Sequence, residues 1–346
     1  MPDARNISFA TFNLYNLQLP GKPWRFNAEP YSEIEYRQKI NWSAEMIQCT
    51  HADVIAFQEL WSKQCLEDIF DAAGLRDQYE LVFIYDEWYD IAVAAAVRSP
   101  WVVRQKTIHK KFPEEFALIK RGNNPQDAGM DDDIEVKINI FARSVLQLSI
   151  GHQEYPNLPQ IEAFAVHLKS KLPTQLDKEE AENDGIRAHS AALGSALSTI
   201  RRTAEAAALR IILSQLMKAT DIPVVVMGDL NDGQLSNTLA IATQQPSYRL
   251  YGSSRAGSRS DVGLYATSML QQFRSLRDVY YTHVYQGVRE IIDHVLVSEQ
   301  FYHYSKARIW SFQEMKIWND FLDDENKWTS DHGIVCAYFD YEPYRG

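Results

Sequence analysis

Residues 224–231 read VVVMGDLN: a β-branched apolar run, closed by Gly228 and followed at once by Asp229 and Asn231. A run of this kind stopped by glycine predicts a buried strand entering a tight turn. The turn then delivers a carboxylate and a carboxamide, two residues apart, to the end of that strand. Other strand-like runs finish in polar groups of the same kind. Segment 7–14 (ISFATFNL) carries Asn13, and segment 53–59 (DVIAFQE) ends on Glu59, which shares a parity with Asp53, Ile55 and Phe57. Segment 161–168 delivers His167, with Lys169 just beyond it in HLKSK. Segment 291–297 (IIDHVLV) contains Asp293 and His294, and SDHGIV supplies Asp331 and His332 before a last strand at 334–339.

Further strands are expected at 81–85, 91–97 and 143–150, and helices at about 33–50, 62–73 and 203–219. In the last of these, Leu209, Ile212, Leu213 and Leu216 share one face. Strands outnumber helices, and most strand connections are too short for a helical crossover, so the sheets should be mixed or largely antiparallel with helices packed outside. Polar segment 121–133 reads as a surface loop, 171–190 as a mobile charged insertion, and 252–263 (GSSRAGSRSDVG) as a flexible loop beside the site. With no interdomain linker and no repeat in view, one domain spanning 1–346 is expected.

The chain has 346 residues, 45% apolar and 23% charged, enough to build a large core. No apolar stretch approaches the roughly 20 residues that span a bilayer, so no stable membrane association is expected. The start, MPDARNISFATFN, runs straight into a strand without a signal-peptide core, and cytoplasmic residence is the expectation. Cys49, Cys65 and Cys336 form no CxxC pair and read as buried reduced thiols. A formal charge of −11, from 35 basic and 46 acidic residues, argues against coating nucleic acid by bulk electrostatics. It leaves room for an enzyme that meets phosphate through a cation and a few local arginines.

Taken singly, each polar residue has a structural reading. Asn13 is a turn former, Glu59 an exposed strand end, His167 and His294 hydrogen-bonded structural histidines, and Asp331 a turn cap. Arg143, in FARSVLQL, is either a strand-edge arginine or a phosphate contact. Asp293 resists such a reading, because a carboxylate inside a buried strand costs several kcal/mol unless paired or metal-bound.

The segments FNLYN, AFQE, HLKS, GDLN, IDHVLVS and SDH, in this order between residues 12 and 332, together resemble the motif series of the endonuclease/exonuclease/phosphatase superfamily, the DNase I-like fold. The resemblance implies an α/β four-layer sandwich, two packed mixed β-sheets flanked by helices, with the site at one edge. It implies Glu59 as the main metal carboxylate with Asn13 beside it, and Asp229 and Asn231 near the attacking water, the scissile phosphate and the metal. Asp331 would serve a second metal or assist the first. His332 would be the general acid/base oriented by Asp293, and His167 would contact phosphate or help protonate the leaving group. Hard oxygen donors suit Mg²⁺ or Mn²⁺, which neutralise phosphate charge and lower the pKa of a bound water. Two departures from the family stand out: no counterpart of the abasic-site endonucleases' mid-chain tyrosine, and no aromatic membrane-inserting hairpin.

A metal-dependent nuclease acting on DNA or RNA is the first functional expectation, and a phosphatase or phosphodiesterase for a small phosphorylated molecule the alternative. The nuclease reading rests on HLKS and on basic residues across 248–290, namely Arg249, Arg255, Arg259, Arg274, Arg277 and Arg289. Substrate contacts are expected from Asn13, Arg143, Lys169, Arg255 and Arg259. Solvated loop charge is the bland reading of the same arginines.

Overall fold

The computed structural model describes residues 3–24, 28–84, 91–122, 133–244, 248, 262–275, 280–324 and 326–345. Among them, six strands make a first sheet: β1 (Ile7–Leu17), β2 (Val54–Leu60), β3 (Tyr79–Phe83), β4 (Ala92–Arg98), β15 (Trp310–Trp318) and β16 (Ile334–Tyr341), in the order β15-β16-β1-β2-β4-β3. A second sheet of six comprises β5 (Trp101–Lys111), β8 (Ile140–His152), β9 (Ile161–His167), β10 (Val224–Asp229), β11 (Tyr265–Ala266) and β14 (Asp293–Val297). Its order is β11-β14-β10-β9-β8-β5. Two short hairpins stand apart, β6 (Leu118–Lys120) with β7 (Ile134–Val136) and β12 (His283–Tyr285) with β13 (Val288–Glu290). Each large sheet is mixed, with one parallel pair at its middle: β1 with β2 in the first, β9 with β10 in the second.

Side-chain alternation along the central strands sorts the layers. Phe9, Val54 and Ala56 of the first sheet face Ala163, Ala165, Val225, Met227 and Val295 of the second across the inner core. Ala10, Phe12, Ile55 and Phe57 point outward onto helices α1 (Glu33–Thr50) and α2 (Lys63–Ala72). On the other side, Phe164, Val166, Val224, Val226 and Leu296 pack on Leu209 and Leu213 of α5 (Ser190–Met217) and Leu239 of α6 (Asn237–Thr243). The result is the expected helix–sheet–sheet–helix sandwich. Helix α1 starts on a capping box, in which Ser32 and Glu35 each satisfy a backbone N–H of the other.

Several elements differ from expectation. β5 and β15, both absent from the sequence reading, are edge strands, and edges carry polar side chains that blur the apolar run: Arg104, Gln105 and Lys106 on β5 are exposed. Segment 171–190 contains α3 (Lys178–Glu182) and α4 (Asp184–Arg187), and α5 begins at Ser190, well ahead of the apolar stripe that marks its second half. The last helix, α7 (Thr267–Gln272), packs beside β14 and β15. Cys65 and Cys336 are buried thiols, whereas Cys49, at the end of α1, is exposed. Most of 121–133 and of 252–263 lies outside the described residues. No described helix is long and apolar enough to cross a membrane.

Candidate active site

The inner-face parity of β9, β10 and β14 sets up a row at one end of the second sheet. Asp229 pairs in register with His167 on one side and with Asp293 on the other, and all three are buried. From the first sheet Asn13, on the inner face of β1 and fully buried, donates through Nδ2 to Asp229 Oδ2 at 3.3 Å.

Glu59 reaches the same place by breaking the rule that was expected to place it. Its parity partners Ile55 and Phe57 point outward to the helices, so regular alternation would carry Glu59 outward too. Instead Glu59 has φ +61°, and the pairing of β2 with both neighbours shifts register at this point. Its carboxylate accepts from Asn16 N at 2.9 Å and lies 4.0 Å from His167 Nε2 of the other sheet.

Gly228 makes the parallel turn possible. A Cβ at this position would sit 2.0 Å from the carbonyl oxygen of Val166, so the close approach of β10 to β9 admits only glycine. Beyond it, Asn231 takes a left-handed conformation (φ +55°) that asparagine tolerates. Its backbone N–H donates to Asp229 Oδ1 at 2.7 Å and its Nδ2 to Leu168 O at 3.1 Å.

The loop before β16 brings Asp331 and His332. Ser330 Oγ donates to Asn13 O at 2.8 Å and accepts from His332 N at 3.0 Å, while Gly333 N donates to Thr282 O at 2.7 Å. Thr282 Oγ1 also accepts from Asp293 N at 3.2 Å. These ties set His332 Nδ1 2.8 Å from Asp293 Oδ2, with Nε2 3.9 Å from Asp229 Oδ2 and 3.9 Å from Asp331 Oδ1. Asp331 itself is exposed. His294 turns the opposite way from Asp293 and meets Asp232 O through Nε2 at 3.0 Å, a structural role.

The two site histidines have opposite electrostatics. Burial alone would lower the His332 pKa, but the carboxylates of Asp293, Asp229 and Asp331 outweigh it and hold the ring well above the ordinary histidine range. His167 is pushed well below that range by burial and by the Arg143 charge, and is neutral. Asp229 is raised to about 7, chiefly by burial, with His332 opposing and Asp293 adding to the rise. Glu59 is raised by burial and by Asp331. Two buried atoms here, His167 Nδ1 and Asp293 Oδ1, have no hydrogen-bond partner among the described residues.

Glu59 has no lysine or arginine within ion-pair distance among the described residues, and it sits beside the carboxamide of Asn13 and under the charge of Asp331. A half-buried carboxylate with no lysine or arginine paired to it, among hard oxygen donors, fits a divalent ion. Two groups of side chains are also close enough to share an ion: Asp229, Asp293 and His332, and His283, Asp331 and His332.

Of the expected substrate contacts, Arg143 donates to Leu168 O at 3.2 Å and its charge bears on both Glu59 and His167. Lys169 turns aside: its ammonium donates to Ser170 O at 3.4 Å and Leu172 O at 3.3 Å. Arg255 and Arg259, with Arg249 and Arg277, lie outside the described residues. Arg274 is engaged with the carbonyls of Phe312 and Gln313 and lies 5.1 Å over the Phe312 ring. Arg289 is exposed, 4.8 Å over Tyr281.

Sequence reading missed two residues. Lys39 is fully buried; its Nζ donates to Thr329 O at 2.9 Å and lies 5.2 Å over the Tyr15 ring, and burial, only partly offset by Asp331 and Glu59, lowers its pKa to about 7. A signal existed, since Lys39 shares the apolar face of α1 with Tyr36, Ile40, Ser43 and Ile47. His283 stands opposite His332 with ring centroids 5.1 Å apart. Nothing in the polar stretch THVYQGVRE set it apart.

Comparisons with known proteins bear on the fold and the family. An endonuclease/exonuclease/phosphatase from Bacteroides vulgatus superposes with a TM-score of 0.57 at 14% identity, covering 97% of this chain and 99% of that one. Mannosyl-6-phosphatase from Bacteroides thetaiotaomicron gives 0.55 at 12%, covering 97% and 100%. TDP2 from D. rerio, solved with a single-strand DNA product, gives 0.52 at 13%, covering 97% and 99%. At such identities the likeness is one of fold alone. No curated protein sequence matches the chain. The model of the Endonuclease/Exonuclease/phosphatase family matches residues 10–332, from the first central strand to the histidine of SDH, and the chain belongs to that family of phosphoric ester hydrolases.

Proposed function

We propose that this chain is a divalent-metal-dependent phosphoester hydrolase in which Asn13, Glu59 and Asp331 hold Mg²⁺ or Mn²⁺, and Asp229, Asn231, Asp293, His332 and His167 act on water and phosphate. The observation that carries the proposal is the placement of two buried imidazoles about one carboxylate, with His167 Nε2 3.5 Å and His332 Nε2 3.9 Å from Asp229 Oδ2. Asp293 holds His332 Nδ1 and keeps the ring protonated, so Nε2–H faces the space beside Asp229 and neutralises charge developing on a phosphoryl oxygen. Asp229, with a pKa near 7, takes a proton from the attacking water at neutral pH. His167, kept neutral, has Nε2 3.5 Å from Asp229 Oδ2; the adjacent carboxylates favour the tautomer with the proton on Nε2. Asn231, locked by Leu168 O, orients the turn against the phosphate. The metal, when bound, supplies charge neutralisation and a lowered pKa for water.

A nucleic-acid phosphodiester is the substrate we favour, with the 248–290 arginines tracking the backbone outside the site. One observation favours a small phosphorylated molecule instead: Arg274 is already committed to the carbonyls of β15. Relatives of the same fold include both a mannosyl-6-phosphatase and a TDP2 solved with single-strand DNA product. A paired assay separates the readings. Changing Arg255 and Arg259 to Ala should weaken turnover of long DNA or RNA, most strongly at low salt and with a shallower salt dependence than wild type, and leave bis-p-nitrophenyl phosphate hydrolysis nearly intact. Equal losses on both substrates, or no polynucleotide cleavage with any metal, would favour the small-molecule reading.

A further inference from the structure

Hairpin β12–β13 brings a second imidazole to the mouth of the site that the hydrolytic chemistry above does not use. His283 forms a backbone bridge to His332, and the neighbouring bond from Gly333 N to Thr282 O fixes the two strands at that point. The rings face each other at 5.1 Å and 43°. The ring of His283 makes no hydrogen bond among the described residues. Beside both rings lies the exposed carboxylate of Asp331, 3.9 Å from His332 Nε2. One donor atom from each of the three residues lies within 4.8 Å of the other two.

We infer that His283, Asp331 and His332 form a transition-metal site, of Zn²⁺ character, that neighbours the oxygen-rich Mg²⁺ position at Asn13 and Glu59 and shares Asp331 with it. Two imidazole nitrogens and one carboxylate are a zinc donor set with a fourth position left for water, whereas Mg²⁺ binds imidazole poorly. Donors around tetrahedral Zn²⁺ at about 2.0–2.1 Å stand roughly 3.4 Å apart, so the Asp331–His332 pair at 3.9 Å closes by about 0.5 Å and the widest gap by up to about 1.4 Å. Asp331 is exposed and His283 sits on the short hairpin β12–β13, so both can approach His332.

The outer contacts also suit a metal. Asp293 holds His332 Nδ1, the carboxylate–histidine arrangement that orients an imidazole toward a metal at Nε2. Zn²⁺ here would displace the Nε2 proton of His332 to solvent and occupy the nitrogen that otherwise faces phosphate, so the site acts as a brake on hydrolysis. His283 alone separates this set from the donors used in turnover, and it is therefore the residue to change.

Direct binding tests the site without any substrate, so the outcome does not depend on the hydrolase reading. Titration calorimetry of the full chain with ZnCl₂, in millimolar MgCl₂, should show one Zn²⁺ per chain. His283→Phe should weaken that binding by about 10–100-fold or more, the scale of losing one supporting contact of a metal site. His283→Cys, which restores a zinc donor, should recover it. Micromolar Zn²⁺ should also suppress wild-type turnover at least tenfold while sparing His283→Phe. No zinc binding would overturn the inference, as would equal affinity in wild type and in His283→Phe, which would place the ion among the carboxylates instead.

Discussion

Replacing Asp229 with Asn should abolish turnover and, in chelator, raise the stability of the protein. Asp229 is 1% exposed, and its neighbours leave its ionised form undercompensated, with a pKa lifted from 3.8 to about 7. A group bound more tightly to its proton in the folded state stabilises below its unfolded pKa and loses that contribution as pH rises through the folded value. Above pH 7 the folded protein holds Asp229 ionised at a cost on the order of several kcal/mol, and that cost shrinks as pH falls toward the unfolded value and the folded carboxyl takes up its proton. The amide is nearly isosteric and retains an acceptor for Asn231 N. Its second end meets Asn13 Nδ2, also a donor, and that mismatch trims the gain. Thermal melts in EDTA at pH 8 and pH 5, wild type against Asp229→Asn, should show a rise of several degrees at pH 8 that narrows with acid. A variant no more stable than wild type at pH 8, or a gap independent of pH, would refute the idea that this carboxylate is held ionised against its surroundings.

Glu59→Gln should weaken Mg²⁺ binding and lower turnover by orders of magnitude, and EDTA should abolish activity until Mg²⁺ or Mn²⁺ is restored; full activity of the variant in chelator would remove Glu59 from the metal site. Asp293→Asn should lower the proton affinity of His332, shifting the matching limb of the pH–rate profile to lower pH. The Asp293→Asn/His332→Ala double variant should lose little more turnover than either single, because the pair acts as one unit. Lys39→Met should reduce kcat at least tenfold, because the carbonyl of Thr329 loses its buried partner two residues ahead of Asp331, and Lys39→Arg should restore most of it; equal kcat for both variants would leave Lys39 a packing residue.

The layers of this fold were legible because apolar alternation along β1, β2, β9, β10 and β14 is a local signal. The site was legible wherever a polar residue interrupted that alternation on the inner face, as at Asn13, His167, Asp229 and Asp293. Glu59 was identified by type and by its place at a strand end, but its parity with Ile55 and Phe57 does not set its direction, because a positive φ and a register shift are products of tertiary pairing that parity cannot foresee. The edge strands β5 and β15 escaped notice because one face of each meets water and its sequence pattern follows suit. His283 owes its place to a backbone bridge between segments 49 residues apart in sequence, and no short-range pattern encodes that meeting.

The hydroxyl of Ser330 holding the carbonyl of Asn13 has a consequence for biosynthesis. β1 lies between β16 and β2, so the first strand made must wait for the last one to complete its sheet. While the ribosome is still adding residues before 332, the nascent chain has Glu59, His167 and Asp229 but neither the loop that carries His332 nor the strand that anchors it. The long sequence separation of the β1–β16 pairing makes assembly of the candidate site a late event in folding.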